Sequence, residues 1–531
     1  MNLNKGDIIS DFAGEFDTCA KVNNRLRELS YQLKSDSEVE YINVCNVAGM
    51  RVYETTLRYV ILMAAYQIDS SISYRYTNSV NRSYLLSKLD GSCLVENDLI
   101  KLQTRVAELI KSSIPIRRIV VSKEEAVKIF EKQKMYDKIK NLKYRELDSV
   151  NLYECDGYYN YLYGYMMDNT KRLYSYKLIL HNPGILVSYP RYDIDGKLPD
   201  YQPNKVFDRL ITETSLMADD LKINDVAALN TIVEEKKDLD LINLSESIHN
   251  RDLCHLVDDI ESKIRKIKMI FIAGPSSSGK TTFANRLRIE LKSRSINPTM
   301  ISLDDYYLRM EDIPLQENGD KDFETIKAFD IERFNQDMLD LISGKIVLLR
   351  ERDMKSKEVI EFGRQAKLEQ NSVIIVEGIH ALNDSISKMI NNAIKYKIYI
   401  SPILALNIDN HSPINLSDAR MLRRIVRDHK FRNLSVERTL QLWNSVRQGE
   451  FKWIYPFSTN VDYVFNSNLF YELSVMKKYA FDTLNHIDDN SEYFIEANRI
   501  LKFLKYLKEI DDKFIPSNSI LKEFIGGSSY Q

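Results

Sequence analysis

One segment of this sequence has the residue types and spacing that bind phosphate. In Gly274-Pro275-Ser276-Ser277-Ser278-Gly279-Lys280-Thr281, glycines allow a tight turn whose backbone N–H groups converge on a phosphate. The segment follows the apolar run Met269–Ala273 and precedes a helical pattern over 282–291, whose N-terminal dipole favours anions. We expect Lys280 to bridge the β- and γ-phosphates of a nucleoside triphosphate and Thr281 to offer a hydroxyl to Mg²⁺. The alternative is a chance Gly/Ser loop between a strand and a helix.

The residues expected to bind the nucleotide are therefore those of the loop and the first helical turn, namely Gly274, Ser276, Ser277, Ser278, Gly279, Lys280, Thr281 and Thr282.

Two further predicted strands end in carboxylates. Asp304 and Asp305 follow the strand pattern 299–303, and Glu377 ends the apolar strand pattern 372–376. In an open α/β sheet the carboxyl ends of strands face the ligand crevice, so Asp304 could accept the proton of an attacking hydroxyl and approach Mg²⁺. Glu377 has the form of a Walker B acid, which holds Mg²⁺ directly or through water. The alternative for each is a carboxylate that caps the next turn.

His380 lies three residues beyond Glu377 in the same predicted loop. A histidine beside a phosphate site suggests a catalytic role, whereas the simpler interpretation is a neutral, hydrogen-bonded side chain that lines the site. We favour the simpler interpretation.

A basic segment, 420–428, has helical spacing. Arg420, Arg423, Arg424 and Arg427 share one face, while Met421, Leu422, Ile425 and Val426 form the other. Such a helix is either a solvated surface or a lid whose arginines neutralise charge on a transferred phosphoryl group. The upstream motifs favour the lid.

Length and composition bound the remaining possibilities. The 531 residues are enough for three or four domains, and the net charge of −2 favours neither nucleic acid nor an anionic membrane as partner. The five cysteines are scattered without a CxxC pair, which indicates reduced thiols and a cytoplasmic location. No run of 18 apolar residues occurs, so no membrane partner is expected.

The order of predicted elements indicates a mixed α/β chain. Short strands near 31–33 and 39–44 precede a helix over 53–69, and strands at 178–180 and 185–188 follow. Residues 216–262 are helical and charged. Strand patterns at 269–273, 299–303, 372–376 and 397–400 alternate with helices, which predicts a doubly wound parallel sheet of the P-loop type.

These motifs together resemble the uridine kinase branch of the phosphoribulokinase/uridine kinase family. The resemblance covers about 266–480 and depends on GPSSSGKTT, SLDDYY, the segment from Asp322 to Asp330, IIVEGIH and RRIVRD. Members phosphorylate the 5′-hydroxyl of uridine or cytidine with ATP or GTP in the presence of Mg²⁺. The resemblance implies the same activity here.

The resemblance also implies residue roles. Asp304 is expected as the general base, with Lys280, Arg423, Arg424 and Arg427 as further catalytic residues. Thr281, Asp304 and Glu377 are expected to form the metal site. Tyr307, Phe323, Glu324 and His380 are expected to contact the nucleoside, with Glu324 in place of a family aspartate that holds ribose hydroxyls. Arg350 replaces an expected proline, and the charged stretch Glu351-Arg352-Asp353 leaves the base specificity open.

The front half resembles a long bacterial type of nucleoside kinase with a TGS-like module and a region similar to the second additional domain of threonyl-tRNA synthetase. That resemblance implies α+β domains and gives the boundaries 1–52 (TGS-like), 53–215 (synthetase-like), 216–262 (helical connector), 263–482 (P-loop kinase) and 483–531 (C-terminal helical extension). The editing site of the synthetase domain needs a His-x-x-x-His pair plus Cys and His. No histidine precedes His181, so we expect this region not to edit aminoacyl-tRNA.

Two other functions remain open at this stage. One is a nucleotide-dependent RNA-binding or regulatory protein, which the synthetase-like region motivates and which leaves nucleic acid open as a partner of the front half. The other is a kinase of another small hydroxyl compound, such as a sugar phosphate or a vitamin precursor. The sequence leaves the acceptor, the choice of ATP or GTP, and a homo-oligomer open.

Overall fold

The computed structural model describes residues 1–79, 82–315, 319–352 and 358–530. They form two units between which the chain passes more than once. The first unit comprises Met1–Lys237, Leu404–Asp418 and Lys477–Ile510. The second unit comprises Asp238–Ile403, Ala419–Met476 and Asp511–Gln531.

The strands, in chain order, are β1 (Asn2–Leu3), β2 (Asp17–Val22), β3 (Arg25–Arg27), β4 (Ser37–Asn43), β5 (Tyr74–Asn78), β6 (Tyr84–Lys88), β7 (Arg117–Ser122), β8 (Ser149–Cys155), β9 (Tyr158–Asn160), β10 (Lys177–His181), β11 (Gly184–Ser188), β12 (Met269–Ala273), β13 (Asn297–Ser302), β14 (Val347–Arg352), β15 (Val359–Ala366), β16 (Ser372–Glu377), β17 (Lys395–Ser401), β18 (Asn407–Asp409), β19 (Ser412–Pro413) and β20 (Tyr463–Asn466). The α-helices are α1 (Val47–Ile68), α2 (Glu96–Lys111), α3 (Lys123–Lys132), α4 (Tyr136–Leu142), α5 (Lys205–Asp220), α6 (Val226–Glu234), α7 (Asp238–Ser262), α8 (Lys280–Ser293), α9 (Ile331–Ile342), α10 (Leu416–Arg432), α11 (Val436–Trp453), α12 (Glu472–Asn485), α13 (Phe494–Leu504) and α14 (Lys522–Ile525).

The first unit is built from antiparallel sheets, of strand orders β1-β4-β2-β3, β10-β11-β6-β5 and β7-β8-β9 within the described residues. Helix α1 runs through its core and is buried along most of its length. Its C-terminal half, 59–68, is almost entirely apolar, and the charged Glu54 and Arg58 of its N-terminal half pair with each other. Asn46 caps this helix by accepting a hydrogen bond from the backbone N–H of Ala48 at 2.8 Å. The mixture of antiparallel sheets and helices confirms the predicted α+β front half.

The segment Leu404–Asp418 belongs to the first unit although second-unit strands precede it. A buried ion pair between Lys138 and Asp409, 2.6 Å apart, explains this placement. Asn141 donates to the carbonyl of Ile408 at 2.6 Å, and Asn407 donates to the carbonyl of Tyr76 at 2.7 Å. Buried polar groups need partners, so these contacts hold the segment in place.

The second unit contains a five-stranded parallel sheet with the order β13-β16-β12-β17-β20. Each residue of the central strand β12 is buried, as expected of a parallel strand covered on both faces. Strand β12 pairs with β16 and β17, and Ile272 lies beside Glu377, which in turn lies beside Ser302. The register therefore brings the carboxyl ends of β12, β13 and β16 to one edge, which confirms the predicted P-loop sheet.

Most predicted elements are present with shifted ends, and one strand prediction is wrong. The helix expected over 53–69 begins at Val47, and the predicted parallel strands correspond to β12, β13, β16 and β17. At 31–33 only Gln32 forms an isolated bridge, with Ile8. The boundaries of the five predicted segments stay a prediction. None of the helices that the structure describes has the length and apolarity needed to cross a membrane.

Candidate functional site

The phosphate-binding loop follows β12 directly, and its shape depends on residues that tolerate unusual backbone angles. Ser277 and Gly279 have φ of +60° and +88°, so successive N–H groups turn toward one side. At Gly274 a Cβ would lie 2.1 Å from the carbonyl oxygen of Ile400, which excludes any larger residue. The loop is therefore tightly turned and lies between a buried strand and the N-terminus of a helix, an arrangement that favours anions.

Helix α8 begins within the loop motif, at Lys280. The N–H of Phe283 donates to the carbonyl of Gly279 at 3.0 Å, and it is the first of this helix to bond within it. The earlier N–H groups of a helix lack such partners and are available to an anion. The Lys280 ammonium donates to the carbonyls of Gly274 and Pro275 at 3.0 and 3.3 Å, so it lies inside the loop.

The strand-end carboxylates converge on this loop. Ser302 donates to Glu377 at 3.3 Å, and the same hydroxyl accepts the N–H of Asp304 at 3.3 Å. Ser302 is therefore the cap of the following turn, and the alternative in which Asp304 or Asp305 serves as that cap is wrong. Asp305 instead accepts the N–H of Arg352 at 3.1 Å, which ties it to strand β14.

The electrostatics place Lys280, Asp304 and Glu377 in one network. Burial and then the charge of Asp304 raise the pKa of Glu377 to about 7, against the opposing effect of Lys280. Burial lowers the pKa of the Lys280 ammonium, and Glu377 leads the carboxylates that oppose this shift. Two acids and one cation that perturb one another at a strand edge have the character of a functional site.

The oxygen donors at this edge fit Mg²⁺. Among the described residues, no group of three or more His, Cys, Asp or Glu side chains is arranged to hold a metal ion. Mg²⁺ does not require such a cage, because one or two carboxylates suffice when substrate phosphates and water complete its octahedron. Asp304, Glu377 and the exposed Thr281 hydroxyl supply a donor set of that kind.

The arginine helix is α10, and three of its arginines contact the loop. Arg420 donates to the carbonyl of Ser276 at 3.1 Å, Arg423 donates to the carbonyl of Ser277 at 3.3 Å, and Arg424 donates to the Ser276 hydroxyl at 2.9 Å. All three are buried, so the solvated-surface alternative is wrong for them.

Arg427 does not share these loop contacts. Its guanidinium donates to the carboxylate of Asp428 at 2.8 Å, although its charge reaches Lys280 and lowers the pKa of that ammonium.

Sequence reasoning missed the acid that fixes this helix. Glu450, on α11, is fully buried and forms an ion pair with Arg420 as well as hydrogen bonds with Arg447 and Tyr455. It also accepts the N–H of Ser276 at 3.1 Å. The signal was the acid in the segment WNSVRQGEF, but nothing local in that segment indicates a contact with a loop 174 residues earlier.

The expected acceptor residues form an aromatic cluster beside Asp304. Tyr307 donates to the carbonyl of Phe323 at 2.9 Å, and its ring lies 4.1 Å from that of Phe329. The guanidinium carbon of Arg352 lies 4.9 Å from the centre of the Tyr307 ring, which is within cation–π range. Arg352 is buried, and its Nε has no hydrogen-bond partner among the described residues.

Glu324 reaches the cluster because of a glycine on the neighbouring helix. A Cβ at Gly449 would lie 2.8 Å from Cβ of Glu324, so this close approach depends on the missing side chain. Burial and then the charge of Glu450 raise the pKa of Glu324 to about 7, while Arg424 opposes the shift.

His380 is buried and neutral, since burial lowers its pKa to about 4. The backbone of Glu324 interacts with the ring and opposes this shift. Neither ring nitrogen has a hydrogen-bond partner of normal geometry among the described residues. The ring instead packs edge-on against Phe329 and Trp453, with centroid separations of 5.2 and 6.1 Å. A buried imidazole in this state can still donate or accept one hydrogen bond.

Arg350, whose position raised the question of base specificity, is a buried side chain paired with Asp330 at 3.1 Å. It therefore stabilises the turn before α9. Glu351 and Arg352 are described, whereas Asp353 of the same charged stretch lies outside the described residues.

The C-terminal segment also contacts the loop, which the sequence did not indicate. Glu523 accepts the N–H of Thr282 at 3.1 Å, and Ile520 lies where a Cβ at Gly279 would be only 2.4 Å away. Phe524 lies under the guanidinium of Arg423 at 5.0 Å. The N–H of Thr282 is one of the early donors of α8, so this carboxylate occupies a position that a phosphate would use.

Comparison with known proteins agrees with this arrangement. The model of the phosphoribulokinase/uridine kinase family matches residues 269–470. The uridine kinase of Staphylococcus haemolyticus is 30% identical over 201 residues, which are 37% of this chain and 86% of that protein. The uridine kinase of Macrococcus caseolyticus is 31% identical over 185 residues, which are 34% of this chain and 78% of that protein.

A different relative matches the front of the chain. The threonine–tRNA ligase of Prochlorococcus marinus is 28% identical over 160 residues, which are 30% of this chain. The match covers only 25% of the length of the ligase.

Replacing Glu523 by Gln should strengthen binding of ATP about threefold to tenfold, because it removes a charge that competes with phosphate at the start of α8. Isothermal titration of the full chain with ATP measures the change. Asp512→Asn, in the same C-terminal segment, is the matched control and should leave the affinity unchanged. Equal or weaker ATP binding by the Glu523→Gln protein would show that this carboxylate does not compete with phosphate.

Proposed function

Since the chain belongs to the phosphoribulokinase/uridine kinase family, we propose that it transfers the γ-phosphoryl group of ATP or GTP to the 5′-hydroxyl of uridine, cytidine or a related nucleoside. The observation that carries the proposal is the convergence of Lys280, Asp304 and Glu377 at the carboxyl ends of three adjacent parallel strands. That edge is where open α/β sheets bind their ligands.

On the donor side, the loop N–H groups and Lys280 bind the phosphates. Thr281, Asp304 and Glu377 would hold Mg²⁺, which supplies charge neutralisation between the β- and γ-phosphates when bound. Arg424 and Arg427 are the proposed lid arginines for the transferred group. Arg423 is proposed as a positioning residue, because both oxygens of Glu472 and the carbonyls of Ser277 and Ser467 already occupy its guanidinium.

On the acceptor side, Asp304 accepts the proton of the 5′-hydroxyl as the oxygen attacks the γ-phosphorus. The bond from that phosphorus to the β–γ bridging oxygen breaks, and the nucleoside diphosphate leaves. Little covalent chemistry is required of the protein, so positioning and charge neutralisation account for most of the rate. The neighbouring acid Asp305 is less suited to this role, because it already accepts a hydrogen bond from the Arg352 backbone.

The nucleoside would lie against the aromatic cluster. Tyr307 and Phe323 offer ring surface, and Glu324 can accept hydrogen bonds from ribose hydroxyls. The two groups with unused hydrogen-bond capacity, Arg352 Nε and the His380 ring, suit the carbonyl and amide edge of a pyrimidine. Arg352 was not among the residues expected from sequence.

For the first unit we propose a regulatory or assembly role rather than editing. In the synthetase-like region, 53–215, the one histidine of the sequence is His181. It lies 3.1 Å from Tyr201 and 3.6 Å from Asp208. A single imidazole cannot supply the paired histidines that the editing chemistry needs. The scattered cysteines support a cytoplasmic location as part of the same proposal.

An acceptor screen with the full chain tests the proposal. ADP formation from MgATP should require uridine or cytidine and should be much slower with ribose 5-phosphate or with no acceptor. Asp304→Asn should lower kcat at least about 100-fold, because the general base is lost, while ATP binding is kept.

Asp305→Asn is the matched control, since an amide oxygen can still accept the Arg352 N–H, and it should retain turnover within a few-fold. ADP formation that is independent of any nucleoside would contradict the proposed reaction. Near-normal turnover of the Asp304→Asn protein would remove Asp304 from the role of base.

The affinity for the nucleoside should depend on pH through Glu324. Its pKa is raised to about 7, so the carboxylate that accepts ribose hydroxyls is lost as the pH falls below that value. The KM for uridine should rise by up to about tenfold per pH unit below pH 7, since one proton competes with binding. Initial rates between about pH 6 and pH 8 measure this. Glu324→Gln should give a KM that is higher and flat, and a flat profile in the unaltered protein would contradict the assignment.

A further inference from the structure

The first unit contains a cavity of about 220 Å³ that plays no part in the proposed phosphoryl transfer. It lies between the N-terminal half of α1, strand β3, the segments 162–165 and 412–418, and helix α13. All of its lining residues belong to the first unit.

The charged side chains of the lining are unevenly balanced. Six are basic and three are acidic, namely Arg25, Arg27, Arg51, Arg58, Arg499 and Lys502 against Glu54, Asp418 and Glu496. Two of the basic side chains are accounted for by other contacts. Arg25 forms an ion pair with Asp489 outside the lining, and Arg58 is bound by Glu54 and by the carbonyl of His411 at 2.6 Å.

Two of the positive charges lie beside Asp418. This buried carboxylate is shared by two guanidinium groups, Arg51 at 3.0 Å and Arg499 in closer contact. Burial and then repulsion from Arg51 lower the pKa of Arg499, while the charges of Asp418 and Glu496 oppose this shift. Glu496 also opposes the charge of Arg499, but Arg27 and Lys502 add to the basic side chains, so these still outnumber the acidic ones at the cavity wall.

Two polar groups in the wall have unused hydrogen-bond capacity. The hydroxyl of Ser412 and the Nε of Arg51 are inaccessible to solvent and have no hydrogen-bond partner among the described residues. Ser412 is only 3% exposed. Buried polar groups of this kind cost free energy unless a ligand or water satisfies them.

The rest of the wall is aromatic and aliphatic. Tyr163, Tyr165, Phe494 and Phe503 contribute rings, and Ile414 contributes an aliphatic surface. At Gly164 a Cβ would lie 3.2 Å from the hydroxyl of Thr55, so the segment 162–165 approaches α1 closely. A concave, largely apolar surface with a few convergent polar groups is the usual form of a small-molecule site.

We propose that this cavity binds a small organic anion whose phosphate or carboxylate group is held by Arg51, Arg499 and Ser412 and whose flat apolar body packs against the aromatic wall. The anion compensates the positive charge of the two arginines that Asp418 does not neutralise. It also supplies hydrogen-bond partners for Ser412 and for the Nε of Arg51. The size of the cavity limits the ligand to a metabolite rather than a polymer.

Isothermal titration of the full chain tests the proposal with three probes of similar shape: phenyl phosphate, benzoate and neutral benzyl alcohol. At least one of the two anions should bind about tenfold more tightly than the alcohol, as expected of a charge-assisted hydrogen bond. Preference for phenyl phosphate identifies a phosphate ester as the ligand class, and preference for benzoate identifies a carboxylate. Failure of both anions to bind more tightly than benzyl alcohol would overturn the proposal.

Substitutions then locate the binding. Arg51→Gln and Arg499→Gln should each weaken anion binding about tenfold or more. Neither substitution leaves Asp418 unpaired, because the other arginine still forms an ion pair with it. Lys502→Gln, at an exposed position of the rim, is a second variant that keeps the fold and should weaken binding in the same direction. Arg105→Gln, on α2 and outside the cavity, should leave binding unchanged.

A Lys280→Ala protein separates this site from the phosphate loop. It should bind the anion as tightly as the unaltered protein. Loss of binding in Lys280→Ala, or full binding in the three cavity variants, would place the anion elsewhere and overturn the proposal.

Discussion

In the second unit, the shape of the phosphate-binding loop depends on side chains that bind its backbone carbonyl groups. Two buried ion pairs, Arg420 with Glu450 and Arg423 with Glu472, bring guanidinium groups against the carbonyls of Ser276 and Ser277. Removing one partner of such a pair costs about 3–5 kcal/mol, because the other charge is left buried. These contacts fix the backbone of the loop at Ser276 and Ser277.

Two backbone N–H groups of this region donate to carboxylates. Glu450 takes the N–H of Ser276, and Glu523 takes that of Thr282. Glu450 stays paired with Arg420, whereas the proposed triphosphate would compete with Glu523 for the Thr282 N–H. Arg424 and Arg427 are the arginines of α10 proposed to stabilise its charge. The acceptor side depends on a similarly close approach, since Glu324 reaches its position only because helix α11 carries a glycine, Gly449, at the contact.

Sequence patterns predicted the parts of this site that are local along the chain. The apolar run of β12, the loop that follows it and the acid at the end of β16 each depend on a few consecutive residues, and the structure contains all three. The arginine face of α10 was also visible from its spacing. Its burial was not, because that depends on acids from α11 and α12.

What the sequence could not provide are contacts between distant segments. Glu523 lies 241 residues from Thr282, and no periodicity links the two positions. The packing of His380 against Phe329 and Trp453 also depends on two segments that lie far from it in the sequence. The assignment of Leu404–Asp418 to the first unit likewise depends on Lys138, far earlier in the chain.

The position of the transferred phosphoryl group tests the central claim most directly. The full chain is incubated with MgATP and uridine, and the products are followed by phosphorus NMR with proton coupling. Transfer to the 5′-hydroxyl predicts a monoester signal split by the two protons on the 5′ carbon, together with ADP. A signal from inorganic phosphate alone, or an ester on a ring hydroxyl, would contradict the account of Asp304 and the loop as a nucleoside 5′-kinase site.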